Sequence, residues 1–142
     1  TFEVTMSAQA IERLQNLIRV VSHIPDDKFD IKCWFNPGTG CGCAIGHSLK
    51  DEYFISQKFK PNVSDAHGIA NFFDIDIKQA LALFYPNVDR RQSRQDIVAM
   101  LRVIVMEKIA QDIGHDVVET YLRISREAPI DSSINADELE SV

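Results

Sequence analysis

Three glycines within five residues, Gly38, Gly40 and Gly42, argue against helix in a stretch whose neighbours on both sides follow helical periodicity. The surrounding residues 34–49 hold the only tryptophan, two of three cysteines, four of six glycines and one of four histidines. Either chemistry is placed there, or the stretch is a packing joint between helices.

On its N-terminal side, Ile11, Leu14, Leu17, Ile18, Val21 and Ile24 recur at helical spacing. Glu12, Gln15, Asn16, Arg19 and Ser22 lie opposite, which predicts a helix over residues 8–23. Thr5 or Ser7 can cap it and Pro25 stops it. Phe29, Ile31, Trp34 and Phe35 then read as a plug at one end of the core. Helix resumes over 43–49, with Lys50, Asp51 and Glu52 as its polar end, and 58–62 reads as a connecting loop. A short helix follows over 65–73. Asp76-Ile77-Lys78-Gln79 is a capping-box pattern that opens a helix ended by Pro86. Ser93-Arg94-Gln95-Asp96 opens the longest helix, 94–113, with Gly114 suited to its C′ position. A last helix spans 116–126, with Val117, Val118, Tyr121, Leu122 and Ile124 as its apolar residues, before Pro129. No alternating run argues for a sheet. The expected fold is all-α: a compact single-domain bundle of five to six helices over 1–126, a glycine- and cysteine-rich loop, and an acidic, disordered tail over 127–142.

The longest helix has two apolar stripes. Ile97, Leu101, Ile104, Val105 and Ile109 form the broader one; Ala99, Val103, Met106 and Ala110 form the other, set apart by Arg102, Glu107 and Gln111. A helix apolar on two sides belongs at the centre of its bundle. The alternative is a homodimer or partner seam, which makes Ala99, Val103 and Met106 candidate partner-binding residues. Asn36 and Thr39 in the glycine loop join them, as do Arg90, Arg91 and Arg94, the one basic cluster.

The 142 residues fit one domain with a real core. No apolar run is long enough to span a bilayer, the first residues lack a signal-peptide layout, and an odd number of cysteines, three, favours a reducing compartment and free thiols, so a cytoplasmic location is expected. The net charge of −6 is uneven: residues 127–142 carry −5 and leave −1 on residues 1–126. That near-neutral body argues against nucleic acid as a partner.

Each chemistry open to residues 34–49 lacks a required second part. Cys43 and His47 stand four apart, and Cys41 with Cys33 or His67 could complete a tetrahedral zinc set. No second tidy ligand pair exists, and free cysteines commonly pack as small hydrophobes. A thiolate at a helix start with His47 as base is the thiol reading, but the C-x-C spacing is not the redox C-x-x-C. The loop could form an anion nest, yet it lacks the lysine of a phosphate loop. Residues 69–83 fit a helix-turn-helix spacing, with Asp74 where glycine is usual and one Lys and one Gln on the second helix, too little for base readout. The four histidines are scattered and no carboxylate pair stands out, so acid–base catalysis finds no support. The glycines read best as permitting a tight turn and close helix approach.

Phe29-Asp30 with Trp34, then Cys41-Gly42-Cys43-Ala44-Ile45-Gly46, then Phe72-Phe73 with Ala80 and Leu83-Phe84, resembles a group of small helical phage and proteobacterial proteins. They share an F-D-x-x-x-W start and a C-G…C-A-x-G turn. The resemblance brings no activity with it. It implies a phage or mobile-element setting, in which small acidic helical proteins act by binding host proteins. The leading expectation is therefore a non-enzymatic protein-binding module without cofactor, an inhibitor of a host antiviral-defence complex such as a CRISPR-type one. A Cys/His metal-binding or thiol-dependent module stands second, and a helix-turn-helix DNA-binding regulator third.

Overall fold

The computed structural model describes residues 6–86 and 92–127. The acidic segment beyond 127, with Arg90 and Arg91, lies outside them. The chain divides into two compact units, Thr1–Ile109 and Ala110–Val142. Among the described residues there are six α-helices, one 3-10 turn and one two-stranded sheet, and no helix is long and apolar enough to cross a membrane.

The first unit opens with α1 (Met6–Ser22), whose Leu14, Leu17 and Val21 are fully buried, as their spacing predicts. A 3-10 turn (Asp26–Lys28) leads to β1 (Phe35–Asn36) and β2 (Cys41–Gly42), an antiparallel pair in the register Phe35 to Gly42 and Asn36 to Cys41. Next come α2 (Ala44–Ser48), α3 (Glu52–Ser56), α4 (Ala66–Phe73) and α5 (Ile77–Phe84). The last helix, α6 (Arg94–Glu127), begins in this unit.

Helix starts follow side-chain caps. Asp65 caps α4 by accepting from the Gly68 amide at 3.1 Å. Asp76 and Gln79 form the reciprocal capping box at α5, the Asp76 amide donating to Gln79 Oε1 at 3.0 Å. Ser93 and Asp96 do the same at α6: the Ser93 amide donates to Asp96 and the Asp96 amide to Ser93 Oγ, at 3.0 and 3.2 Å.

The core is aromatic on one side. Phe54, Phe73 and Phe84 are fully buried, and Phe59 stacks on Phe72 with centroids 4.2 Å apart. Ile97 and Leu101 of α6 complete it from the other side, each such burial contributing roughly 1.5–3 kcal/mol. Ion pairs tie elements together. Arg19 grips Asp51 through two nitrogens at 3.0 and 2.8 Å. Arg94 donates to Asp26 at 2.9 Å and to the Ser22 carbonyl at 2.8 Å, and Lys108 pairs with Asp74 at 3.2 Å.

Several expectations need correction. The glycine- and cysteine-rich stretch is not irregular throughout, because Phe35 and Asn36 pair with Cys41 and Gly42 across a tight turn in which Gly40 takes φ 75°. Residues 50–52 do not trail off as a polar end: Asp51 accepts from the Tyr53 amide at 3.1 Å and starts α3. Gly114 does not end a helix. α6 runs through it to Glu127, since one glycine costs only about 1 kcal/mol and no proline follows until 129. In the second unit the described residues 110–127 are this helix, exposed at nearly every position.

A Cβ placed on Gly46 would sit 1.5 Å from the Trp34 carbonyl oxygen, a contact with backbone that no rotamer relieves. Gly46→Ala is expected to destabilise the first unit by about 3 kcal/mol or more in urea unfolding. The Asp51 carboxyl is held below its ordinary value of 3.8, first by hydrogen bonds from Arg19 and against the opposing effect of burial. A depressed folded value means the pair stabilises above pH 3.8 and loses that effect as pH falls through the folded value. With Arg19 largely exposed, Asp51→Asn is expected to cost about 0.5 kcal/mol near neutral pH and nothing in strong acid. Asp51→Ala, which also loses the α3 cap, costs about 1 kcal/mol more by the same pH-series unfolding.

Candidate functional site

The residues offered by residues 34–49 are consumed by local structure. Cys43 is the N-cap of α2 and is buried; its Sγ accepts from the Gly46 amide at 3.5 Å and donates to the Trp34 carbonyl at 3.7 Å. Cys33 donates to the Cys41 carbonyl at 3.7 Å, and Cys41 to the Asp27 carbonyl at 3.5 Å. His47 Nε2 lies 2.8 Å from the Lys28 carbonyl. A carbonyl only accepts, so that nitrogen carries the proton and is no metal ligand in this arrangement. Cys33, Cys41, Cys43 and His47 thus turn toward four different carbonyls, and no group of three His, Cys, Asp or Glu among the described residues, His67 included, is placed to hold a metal.

The thiol and anion readings meet similar geometry. Burial pushes the Cys43 thiol up, outweighing the amide hydrogen bonds at the helix start that lower it. The sequence-level idea of a thiolate favoured by that helix start is therefore reversed by desolvation. The loop amides point inward: those of Thr39 and Gly40 donate to the Asn36 carbonyl, Gly38 to Asn36 Oδ1, and Cys41 to Thr39 Oγ1. Asn36 and Thr39 are exposed, but Thr39 also accepts from Lys28 Nζ at 2.8 Å, so their polar groups brace the turn.

The helix-turn-helix spacing does yield two helices joined by a short turn. Asp74 adopts φ 52° and ψ 53°, the left-handed conformation usually left to glycine, and Lys108 donates to both its carbonyl and its carboxylate. The residues around the turn are acidic, and α5 exposes Lys78 beside an apolar Leu81.

The second apolar stripe of α6 is the feature the structure leaves open. Ala99 is exposed, with Val103 at 53% and Met106 at 68%, so the stripe is not interior and the expected central position fails on that side. The broader stripe faces the core through Ile97, Leu101, Ile104 and Val105, joined by buried Val98, while Ile109 is itself exposed. Between α5 and α6 runs an apolar groove of about 480 Å³. Leu83, Met100 and Ile104 line its floor, Ala82, Ala99 and Val103 its walls, and Lys78 and Glu107 stand on its margin. Alanines at 82 and 99 leave the volume unfilled. Of the basic partner-binding candidates, Arg94 is instead a clamp on Asp26 and the Ser22 carbonyl that anchors the α6 start to the end of α1.

The groove was half legible. Ala99 and Val103 are read from the stripe, but Ala82, Leu83 and Lys78 come from another helix, and no periodicity pairs them with α6. Comparison with protein-family models, with curated proteins and with solved structures gives no match.

Alkylation followed by peptide mapping is expected to label Cys41 and Cys33, both partly exposed, before Cys43, which burial keeps protonated and shielded. Labelling of Cys43 first would contradict that environment.

Proposed function

We propose that this protein is a cytoplasmic, non-enzymatic protein-binding module whose binding face is the α5–α6 groove. The observation that carries the reading is an apolar groove with exposed Val103 and Met106 beside it, on a unit whose three thiols and His47 lie against backbone carbonyls. Apolar walls with charged margins suit an amphipathic partner helix, whose apolar side fills the space above Leu83 and Ile104 while its flanks meet Lys78 and Glu107. On the resemblance of the Phe29, Trp34, Cys41–Gly46 and Phe72–Phe84 motifs, the partner is a host protein complex of antiviral defence, and the module acts as its inhibitor. The α4–α5 pair serves as a groove wall in this reading. Its acidic turn and single exposed lysine work against phosphate contacts.

Val103→Asp places a charge in the groove at an exposed position and is expected to shift stability by under about 0.5 kcal/mol. Co-purification of a specific host polypeptide with the tagged chain should be lost in Val103→Asp and kept in Gln95→Asp on the exposed start of α6. Retention that survives Val103→Asp, or no retained polypeptide at all, overturns the proposal. Stoichiometric zinc that disappears in Cys43→Ser would put a metal-binding module in its place.

A further inference from the structure

The part of α6 within Ala110–Val142 has an apolar side with no cover among the described residues of that unit. Ile113, Val117, Tyr121 and Ile124 are each more than half exposed. A helix over 110–127 is roughly 27 Å long by its rise per residue, and in proteins such a helix draws most of its stability from packing an apolar face rather than from propensity. Its composition makes matters worse, since Ile113, Val117, Thr120 and Ile124 are β-branched and Gly114 sits in mid-helix. Such a helix persists by packing.

The spacing bears on what covers it. Ile113, Val117, Thr120 and Ile124 follow at intervals of four, three and four, the 3.5-residue repeat of a two-helix seam rather than the broader face of a bundle helix. We propose that this segment pairs antiparallel with the same segment of a second copy of the chain. Setting Val117 against the second copy's Thr120 brings Ile113 against the second copy's Ile124. The same register sets the exposed Asp116 opposite the second copy's Arg123, and twofold symmetry repeats the pair. Gly114 falls opposite the second copy's Tyr121. A Cβ at Gly114 would meet nothing within 4 Å among the described residues, so their packing does not require a glycine there. A large ring facing it across the seam does. A parallel pairing instead stacks Thr120 on itself and sets Asp116 beside Tyr121, which forfeits both the charge match and the size match.

This inference does not rest on the groove as a binding face, and its test keeps the two apart. Sedimentation equilibrium of the whole chain should give a monomer–dimer equilibrium. Val117→Asp should abolish it and Val103→Asp should leave it intact. Asp116→Arg and Arg123→Asp should each weaken dimerisation about tenfold by setting like charges face to face, and the double variant should recover most of the loss. Far-UV circular dichroism of the charge variants, all at exposed positions, confirms that the first unit stays folded. A chain that is monomeric at every concentration overturns the proposal. So does a dimer lost with Val103→Asp but not Val117→Asp, or a double charge variant that fails to recover.

Discussion

At Gly46 two pieces of backbone meet closely, the turn of α2 and the carbonyl of Trp34. No side chain fits between them, and Gly42 meets the same Trp34 oxygen and Phe35 at 2.9 Å from where its Cβ would be. Everything nearby follows from that approach. It places the Trp34 carbonyl where Cys43 Sγ can donate to it, and it holds α2 at the level where Ile45 packs fully buried beneath α1. It also sets β2 beside both Phe35 and Phe29, so that one strand of two residues joins three segments. The cysteines and the histidine of this stretch are the fastenings of that joint. Their hydrogen-bonding capacity is spent on backbone carbonyls of neighbouring segments.

Charge plays a comparable part at the other end of the first unit. Lys108, nearly buried, reaches back from α6 to the left-handed residue Asp74 and holds the α4–α5 turn in place. Arg94 anchors the α6 start at the end of α1. With α5 and α6 held this way, Ala82 and Ala99 face a common space too wide for their methyl groups to fill, and the groove results. Its apolar floor is core surface that the chain's own side chains do not cover.

Most helix starts were legible because a cap is a local event: Asp65, the Asp76–Gln79 box and the Ser93–Asp96 box each act within four residues of chain. The core face of α1 was legible because burial repeats with the helical period. α3 was missed because Asp51 and Glu52 look the same at the end of one helix as at the start of another, and only the position of Phe54 under Phe59 and Phe72 decides between them. The hairpin was missed because two-residue strands have no period to detect. The end placed at Gly114 was wrong because glycine marks a helix stop only when the following residues leave the helix, and here they do not.

The sequence by itself determined that the chain is mostly helical, where its caps lie, which side of α1 is core, and that residues 38–42 cannot be helix. These are properties of neighbours within a few residues, set by periodicity and local hydrogen bonding. Only the tertiary structure decided that the second stripe of α6 is exposed, that α5 supplies the other wall of a groove, and that the thiols and His47 turn toward separate carbonyls. Each of those depends on which distant backbone arrives at a given face, and a stripe of apolar residues looks the same in sequence whether another helix covers it or solvent does. The glycines of residues 34–49 show the division most plainly: their spacing announced a joint, and the Trp34 carbonyl, brought in by the fold, made glycine the only residue that fits it.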